Sequence, residues 1–317
     1  MEQKIFDPKE FMHVSVLLAE CLEGLAIRPD GIYLDGTAGG AGHSKQIALR
    51  LDATCGQLIA LDQDPDAIQT ATARLAGLPA KVVQSNFCNA SFALASVGVT
   101  SLDGALLDLG VSSHQLDDAQ RGFSYRADAP LDMRMSQEGQ SAADLVNTET
   151  REELARILRE YSEEPYAWQI AGKIVAQREI APITTTLQLA EIVSAAVPPA
   201  ERRKNKNPSR RTFQALRIAV NHELDVLEQG LEDIFSHLAP GGRFCIITFH
   251  SLEDRLVKRK FREWATACTC PSTFPVCVCG GKAKCKLITR KPIEATAEEL
   301  ACNRRSRSAK LRVIEKL

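Results

Sequence analysis

The fold of this chain is decided by the stretch Ile32-Tyr33-Leu34-Asp35-Gly36-Thr37-Ala38-Gly39-Gly40-Ala41-Gly42-His43-Ser44. An apolar run ends at Asp35, and four glycines follow within seven positions. Ser44 then opens a segment with apolar residues at helical spacing, so the pattern predicts a strand, a tight turn and a helix. Glycine lacks a Cβ, which lets the backbone turn sharply and approach a ligand closely. Such turns also serve packing alone, so the rest of the chain must decide between these roles.

The bulk composition sets the class of protein. The 317 residues are enough for two domains, or for one domain with a large insertion. With 44% hydrophobic and 25% charged residues, the composition is ordinary for a soluble globular protein. Because no apolar run approaches the ~18 residues of a membrane span and the first residues lack a signal-peptide core, we expect a cytoplasmic protein without a membrane partner. Its ten cysteines are then expected to be thiols or metal ligands rather than disulfides.

Strands alternate with helices along the first third of the chain. Apolar runs at 57–61, 81–84 and 102–107 each predict a strand. Asp64 and Pro65 predict the N-cap and the first residue of the helix after the second strand. This alternation is typical of a parallel, doubly wound α/β sheet.

Polar and aromatic residues stand where these strands end. Asp35, Asp62 and Asp108 close the first, second and fourth strands, and Phe87 follows the third. Because such sheets bind ligands at the carboxyl ends of their strands, we expect these four side chains to lie together. Asp62 follows the glycines by about 20 residues, a spacing that suits an acceptor for the hydroxyls of an adenosine ribose. The alternative role for Asp62 is a second helix cap beside Asp64.

A long insertion separates the fourth strand from a fifth, which is predicted at 242–249 after the turn Ala239-Pro240-Gly241. About 130 residues lie between these strands, whereas a crossover connection needs about a dozen to a few dozen. We therefore expect an insertion of roughly 90 residues, and its apolar residues recur at helical spacing. Thr185 with Gln188 predicts a capping box for one of its helices.

One segment of the insertion is strongly basic. It contains six cations and no acid, namely Arg202, Arg203, Lys204, Lys206, Arg210 and Arg211. Most charge runs are only solvated loops, but a basic cluster on a helical insertion predicts a surface for RNA phosphates. Phe123, Tyr125 and Phe213 are candidates for stacking on an unpaired base.

The last quarter of the chain is predicted to complete the sheet. Residues 286–289 and 310–314 predict an antiparallel pair that brings the strands to seven. Ser251 with Asp254 predicts the cap of the helix after the fifth strand, and His250 could reach a ligand from the end of that strand. Arg304, Arg305, Arg307 and Lys310 form a second basic stretch.

A cysteine cluster precedes the sixth strand. Its members are Cys268, Cys270, Cys277, Cys279 and Cys285. Two pairs of thiols within a dozen residues suggest structural zinc, but the Cys-x-Cys spacing departs from the usual ligand spacing. Reduced thiols are the alternative.

Long motifs in this chain resemble those of the bacterial small-subunit (16S) rRNA cytosine-N(4) methyltransferases, the MraW family. They span 35–44, 60–65, 108–117, 121–124, 130–135, 211–218 and 249–255, in order along essentially the whole chain. The resemblance implies a class I, Rossmann-like methyltransferase sheet of seven strands, formed by residues 1–115 and 213–317. It also implies an inserted helical RNA-recognition domain at 116–212.

The resemblance implies S-adenosylmethionine as the cofactor and no metal in the reaction itself. Its implied contacts are Asp35, Gly39, Ala41, Gly42, His43, Asp62, Phe87, Asp108 and Gln115. Among them, Asp62 would hold the ribose and Phe87 would lie beside the adenine. Asp108 and Gln115 would lie nearer the methionine part.

Two residues depart from the pattern of the family. Ala41 stands where a glycine is expected, which is harmless if its φ is negative and its backbone still faces the cofactor. His114 stands where a proline is expected, so the loop before Gln115 is expected to be looser.

The reaction implied by the resemblance moves a methyl group to the exocyclic N(4) amine of one cytidine in 16S rRNA, within the small ribosomal subunit. The lone pair of this amine is delocalised into the ring, so the protein must align the reactants and offer an acceptor for the proton. Asp108 is the expected catalytic acceptor. The sequence leaves open the exact nucleotide, whether its base is flipped, and whether the protein is a monomer or a homodimer.

Two other functions share part of the pattern. A nicotinamide dehydrogenase would also need the glycines and the ribose acid, but not a helical insertion with a basic segment. A non-catalytic rRNA-binding or assembly factor would keep the basic residues, yet it would not need Asp62, Phe87 and Asp108 together.

Overall fold

The computed structural model describes residues 15–204, 207–267, 270 and 280–317. The chain divides into two units. The first comprises the described residues up to Gly110 together with those from Glu228 onwards, and the second is Val111–Leu227. Within the described ranges, no helix combines the length and the apolar character that crossing a bilayer requires.

The strands of the described residues form one sheet in the first unit. They are β1 (Ile32–Asp35), β2 (Gln57–Asp62), β3 (Ala80–Gln84), β4 (Leu102–Asp108), β5 (Leu238–Thr248), β6 (Cys285–Leu287) and β7 (Lys310–Lys316). Their order is β3-β2-β1-β4-β5-β7-β6, and all are parallel except β7, which runs antiparallel to both neighbours. This order with a reversed β7 is that of the class I, Rossmann-like methyltransferase sheet, so the predicted fold class is confirmed.

Helices occur in both units. In chain order they are α1 (Leu18–Leu25), α2 (Gly42–Ala48), α3 (Pro65–Leu75), α4 (Ala90–Ser96), α5 (Ser113–Asp117), α6 (Ala142–Thr148), α7 (Arg151–Ser162), α8 (Ala167–Arg178), α9 (Thr186–Ala196), α10 (Pro199–Lys204), α11 (Ser209–Val220), α12 (Glu223–His237), α13 (Ser251–Ala265) and α14 (Ala297–Cys302). Residues 58–61 of β2 and 105–107 of β4 are buried apolar side chains. Such continuous burial is expected of parallel strands that are covered on both faces.

The fifth strand differs from its prediction. β5 begins at Leu238, before the predicted start at Gly242. Leu238 pairs with Leu102, and the register then shifts before Arg243 pairs with Gly104. The predicted turn at 239–241 is therefore a bulge inside the strand pairing. Proline and a glycine at positive φ are tolerated at such bulges, because they interrupt the ladder there.

The helical unit has its own buried core, and it is larger than predicted. Its core includes Leu154 and Leu158 of α7, and also Phe213 and Leu216 of α11. Because the apolar side of α11 is buried with α7, this helix belongs to the helical unit. The unit consequently spans 111–227, whereas the expected bounds are 116–212.

The same core changes the role of the predicted stacking residues. Phe123 is 7% exposed and Phe213 is 4% exposed, and both belong to the core. Tyr125 packs edge-on against Phe213 with ring centroids 5.2 Å apart. The prediction that the two phenylalanines stack on an RNA base is therefore wrong, because their faces are covered by protein.

Most predicted helix caps are present. Asp64 accepts the Asp66 N–H, with Pro65 as the first residue of α3, and Thr185 with Gln188 forms a complete capping box at α9. The cap predicted from Ser251 and Asp254 is wrong.

The N-cap of α13 is instead His250, with Glu253 as the second member of the box. The Glu253 carboxylate accepts the N–H groups of Phe249 and His250 at 2.8 and 3.2 Å. Asp254 accepts a hydrogen bond from Nε of Arg312 at 2.7 Å.

Candidate functional site

The glycine-rich turn is organised by a buried acid at the end of β1. Asp35 is 1% exposed, and its Oδ2 accepts a hydrogen bond from Oγ of Ser44 at 2.6 Å. Its Oδ1 accepts the Thr37 N–H at 3.1 Å. Burial raises the pKa of Asp35, and these hydrogen bonds oppose that rise. Asp35 therefore ties the turn to the first residues of α2, and a direct contact with a ligand stays a prediction.

Two glycines of the turn are required for different reasons. Gly39 has a φ of 50°, in the left-handed region that side chains disfavour. At Gly42 a Cβ would lie 2.0 Å from Oγ of Ser15, so the segment before α1 could not pack there. At Gly42 the glycine therefore serves packing, the alternative role, and close approach of the turn to a ligand stays a prediction.

Ala41 adopts the conformation that a glycine would tolerate better. Its φ is 60° and its ψ is 29°, and its side chain is buried. The sequence predicts that alanine is tolerated at this position if its φ is negative. The φ of Ala41 is positive, so this condition is not met. An L-residue in this region is strained because its Cβ crowds the following carbonyl oxygen.

We expect Ala41→Gly to stabilise the protein by about 0.5–1 kcal/mol, because relief of the strain exceeds the extra unfolded-state entropy of glycine. Ala38→Gly is the matched control, since Ala38 is buried in the same turn and its φ is not positive. That variant should lose about 1 kcal/mol instead. Denaturant unfolding measures both changes, and destabilisation by Ala41→Gly would contradict the strained geometry.

Asp62 joins the end of β2 to the turn. Its Oδ2 accepts the Gly39 N–H at 2.8 Å, and its Oδ1 accepts the Asp64 N–H at 2.9 Å. Burial raises the pKa of Asp62 to about 6. Each carboxylate oxygen has a further lone pair, so hydroxyl groups of a ligand could still donate to it. The N-cap of α3 is Asp64 itself, which leaves Asp62 available for the predicted ribose contact.

Phe87 follows β3 and borders the same turn. A Cβ on Gly36 would lie 3.1 Å from Cβ of Phe87. A Cβ on Gly230 of α12 would lie 2.4 Å from Cδ2 of the ring, so the ring packs directly against the backbone of that helix. Phe87 is partly exposed, and the exposed part is available to an adenine.

Asp108, at the end of β4, has an oxygen without a partner. Its backbone N–H donates to Oγ1 of Thr37 at 2.6 Å, and its Oδ2 lies 3.6 Å from Nδ1 of His43. Its Oδ1 is buried and has no hydrogen-bond partner among the described residues. Burial raises the pKa of Asp108 to about 6, and His43 opposes that rise. An unsatisfied buried acceptor of this kind fits a site whose donor arrives with a ligand.

The first unit therefore brings most of the predicted contacts together. The Asp108 N–H donates to the Thr37 hydroxyl, and the Thr37 N–H donates to the Asp35 carboxylate. The Asp62 carboxylate accepts the Gly39 N–H of the same turn. The sequence analysis did not predict that Thr37 links Asp108 to Asp35, because a threonine at this position of a turn does not indicate such contacts. His43 was predicted, but its contact with Asp108 was not.

The remaining predicted contact lies in the second unit. Gln115 is buried in α5, where its side chain accepts the Ser112 N–H at 2.9 Å and its N–H donates to the Ser112 hydroxyl at 3.2 Å. Gln115 thus completes the capping box of α5. Its contact with the cofactor stays a prediction.

Four of the predicted phosphate contacts are exposed in the second unit. Arg202 and Arg203 lie on α10, and Arg210 and Arg211 lie at the start of α11. The Arg211 guanidinium donates a hydrogen bond to the Glu163 carbonyl oxygen at 3.3 Å. Lys206 and the side chain of Lys204 lie outside the described residues.

The cysteine cluster is only partly described. Cys285 is buried, its Sγ lies 3.8 Å from the Phe261 carbonyl oxygen, and burial raises its pKa to about 11. Cys268, Cys277 and Cys279 lie outside the described residues, so the zinc hypothesis stays untested for them.

Asp108 should lower the stability of the ligand-free protein near neutral pH. An acid with a raised pKa in the folded state stabilises below its unfolded pKa, and this stability is lost as the pH rises through the folded value of about 6. We expect the non-ionising Asp108→Asn variant to be more stable than the wild type by about 2–3 kcal/mol at pH 7.5, and by much less at pH 4. Denaturant unfolding at both pH values measures this, and a difference that does not depend on pH would contradict it.

Comparisons with known proteins point to the same family that the sequence motifs resemble. The sequence matches the model of the MraW methylase family over residues 10–317. It is 54% identical over 311 residues to the ribosomal RNA small subunit methyltransferase H of Lachnospira eligens, covering 97% of this chain and 98% of that protein. It is 53% identical over 312 residues to the protein of the same name from Citrifermentans bemidjiense, covering 98% of this chain and 100% of the relative.

Among solved structures, an rRNA methylase from Streptococcus thermophilus is similar with a TM-score of 0.41 and 10% identity. The similarity covers 96% of this chain and 99% of the other. The fold class follows from the strand order.

Proposed function

Because the chain belongs to the MraW methylase family, we propose that it transfers a methyl group from S-adenosylmethionine to the exocyclic N(4) amine of a cytidine in 16S rRNA. The relatives named for the small ribosomal subunit support rRNA methylation as the activity. The choice of the N(4) amine as the acceptor rests on the chemistry of the site and on the motifs of the sequence.

The observation that carries the proposal is the free oxygen of Asp108. Among the residues that the structure describes, none donates to the buried Oδ1, which lies at the carboxyl end of a central strand. An exocyclic amine offers an N–H donor, and it must lose a proton when it is methylated. A carboxylate with one oxygen free is suited to both requirements.

The residues around the turn fit the cofactor. The backbone of Gly39, Ala41, Gly42 and His43 would pass close to the methionine part and the ribose. Asp62 would accept the ribose hydroxyls with its remaining lone pairs, and Phe87 would lie beside the adenine. Gln115 would lie near the methionine part. When bound, S-adenosylmethionine supplies a methyl group that is activated by a positively charged sulfur.

The protein residues then have two tasks. The lone pair of the cytidine amine is delocalised into the ring, and a hydrogen bond from the amine to Asp108 Oδ1 favours a geometry in which this pair is freer. Alignment of the amine with the methyl group supplies much of the rate enhancement over the reaction in solution. Well-oriented intramolecular reactions reach effective molarities of about 10⁵–10⁸ M. Asp108 then receives the proton that the methylated amine loses.

The helical unit would hold the RNA. Arg202, Arg203, Arg210 and Arg211 are exposed and can neutralise phosphates. Lys204 and Lys206 belong to the same basic segment of the sequence. Contacts to phosphates fix position but do not read sequence, so the choice of one cytidine requires other contacts.

Transfer of tritium from methyl-labelled S-adenosylmethionine tests the proposal. The purified protein is incubated with immature small ribosomal subunits and, in parallel, with free 16S rRNA. We expect label in the RNA of at least one substrate, and the comparison shows whether an assembled particle is needed. Absence of label from both would contradict the proposal, provided that calorimetry shows the cofactor to be bound.

A further inference from the structure

A short 3₁₀ helix, Arg304–Ser308, lies between α14 and β7 and is called the rim helix below. β7 runs antiparallel to β5, and Lys310 pairs with Thr248 at the carboxyl end of β5. On the other side of β5, Ile247 pairs with Asp108. β7 therefore begins at the edge of the sheet where Asp108 lies, two strand spacings or about 10 Å away. The rim helix adjoins this beginning.

Buried residues at every third position hold the rim helix in place. Asn303, Ser306 and Ala309 are all buried. Oδ1 of Asn303 accepts the Arg305 N–H at 3.1 Å, and Oγ of Ser306 donates to the Asn303 carbonyl oxygen at 2.7 Å. Because a 3₁₀ helix has three residues per turn, burial at this period leaves the residues in between at the surface. The exposed cations are consequently Arg304, Arg305 and Arg307.

An acid of α13 neutralises two cations of β7 but not those of the rim helix. The Asp254 carboxylate lies 2.7 Å from Nε of Arg312 and 3.9 Å from Nζ of Lys310. Within the described ranges, Arg304 and Arg307 form no ion pair. These two guanidinium groups are therefore available to an external anion.

Cations on α13 of the same unit are paired with acids. Arg259 lies 2.9 Å from a carboxylate oxygen of Glu228, and Lys260 lies 2.5 Å from one of Glu232. By contrast, residues 300–314 contain five cations and no acid. Most charge runs are only solvated, but this one is held on a fixed backbone at the edge of the candidate site. A local excess of positive charge there favours a polyanion that passes this edge.

We propose that the rim helix binds backbone phosphates of the RNA beside the target nucleotide, through the guanidinium groups of Arg304 and Arg307. The proposal rests on the proposed function, and it adds an RNA contact on the methyltransferase unit to the one proposed for the helical unit. Arginine suits this task because its planar guanidinium can give two parallel hydrogen bonds to a phosphate.

Such contacts would serve the reaction by positioning the RNA. A strand whose cytidine reaches Asp108 would pass the edge of the sheet at which the rim helix lies. Phosphate contacts fix the register and the orientation of a nucleic acid without reading its sequence. Arg304 and Arg307 would therefore act on where the target nucleotide lies, and they would not touch the reacting atoms.

Filter binding of 16S rRNA at several salt concentrations tests the contact without any methyl transfer. In Arg304→Ala/Arg307→Ala, we expect about tenfold weaker binding at about 150 mM salt, and a slope of log affinity against log salt reduced by about 1.4. The matched control Lys258→Ala/Arg262→Ala removes two exposed cations of α13 and should keep the wild-type slope. An unchanged slope in the first variant, or equal reductions in both, would overturn the proposal.

A variant that keeps the charge separates a phosphate contact from a structural role of the guanidinium groups. Lysine retains the point charge, so Arg304→Lys/Arg307→Lys should keep a salt slope near that of the wild type. A reduction as large as that of the alanine variant would contradict the phosphate contact. Calorimetry with S-adenosylhomocysteine should give the wild-type affinity for all these variants, because their substitutions lie outside the predicted cofactor contacts.

Hydroxyl-radical footprinting locates the contact along the RNA, and its first arm needs only the wild type should a variant fail to fold. The wild type should protect backbone positions next to the nucleotide that it methylates, and Arg304→Ala/Arg307→Ala should lose this protection. Absence of protection there in the wild type would overturn the proposal. The two proposals can fail separately. If the wild type binds RNA but does not methylate cytidine, the proposed function fails, while the salt slopes still decide whether the rim helix contacts RNA.

Discussion

Asp108→Asn is expected to slow methyl transfer by about 10²–10⁴-fold, the usual contribution of a positioned proton acceptor. The amide has nearly the same shape, but it cannot take the proton and offers a donor where the amine needs an acceptor. Single-turnover transfer from labelled S-adenosylmethionine measures this loss. Because Asp108 is also a predicted cofactor contact, calorimetry with S-adenosylhomocysteine measures cofactor affinity separately, and turnover is compared with the cofactor at saturation.

The matched control for this substitution lies on the same strand. Asp103 is at the amino end of β4, where its Oδ2 accepts the Ile32 N–H at 2.8 Å and its Oδ1 pairs with Arg28 at 2.6 Å. Asp103→Asn removes the same charge from the end of the strand away from the site, so turnover should stay near the wild-type value. Near-normal turnover of Asp108→Asn would refute its catalytic role.

Removal of four cations from the basic segment is expected to weaken RNA binding by about 10²-fold at 150 mM salt. The variant carries alanine at Arg202, Arg203, Lys204 and Lys206. Each lost phosphate contact should reduce the slope of log affinity against log salt by about 0.7, so the slope should fall by about 3. Filter binding of 16S rRNA at several salt concentrations measures both quantities, and cofactor affinity should not change.

A control with the same change in net charge distinguishes local contacts from overall attraction. Arg159, Lys173, Lys258 and Arg262 are exposed cations outside the basic segment. Their replacement by alanine should leave the salt slope close to that of the wild type. Unchanged RNA affinity in the first variant, or equal losses in both, would contradict the assignment of the basic segment.

The sheet and the acids at its strand ends could be predicted from the sequence. Each of Asp35, Asp62 and Asp108 closes an apolar run, and parallel strands place such ends at one edge of the sheet. The glycines and the cap at Asp64 are local signals of the same kind. Local patterns are sufficient here because strand, turn and helix each depend on residues that are close in sequence.

Other features depended on tertiary packing and were missed. The positive φ of Ala41 follows from the path of the whole turn, since alanine itself favours other conformations. The cap at His250 depends on the buried carboxylate of Glu253. The contact between His43 and Asp108 joins positions 65 residues apart, and no spacing rule predicts it.

The most direct test of the account is nucleoside mass spectrometry of 16S rRNA after reaction with the protein and deuterated-methyl S-adenosylmethionine. The account predicts labelled N(4)-methylcytidine with the wild type and at most a trace with Asp108→Asn. Label in a different nucleoside, or equal N(4)-methylcytidine with both proteins, would contradict it.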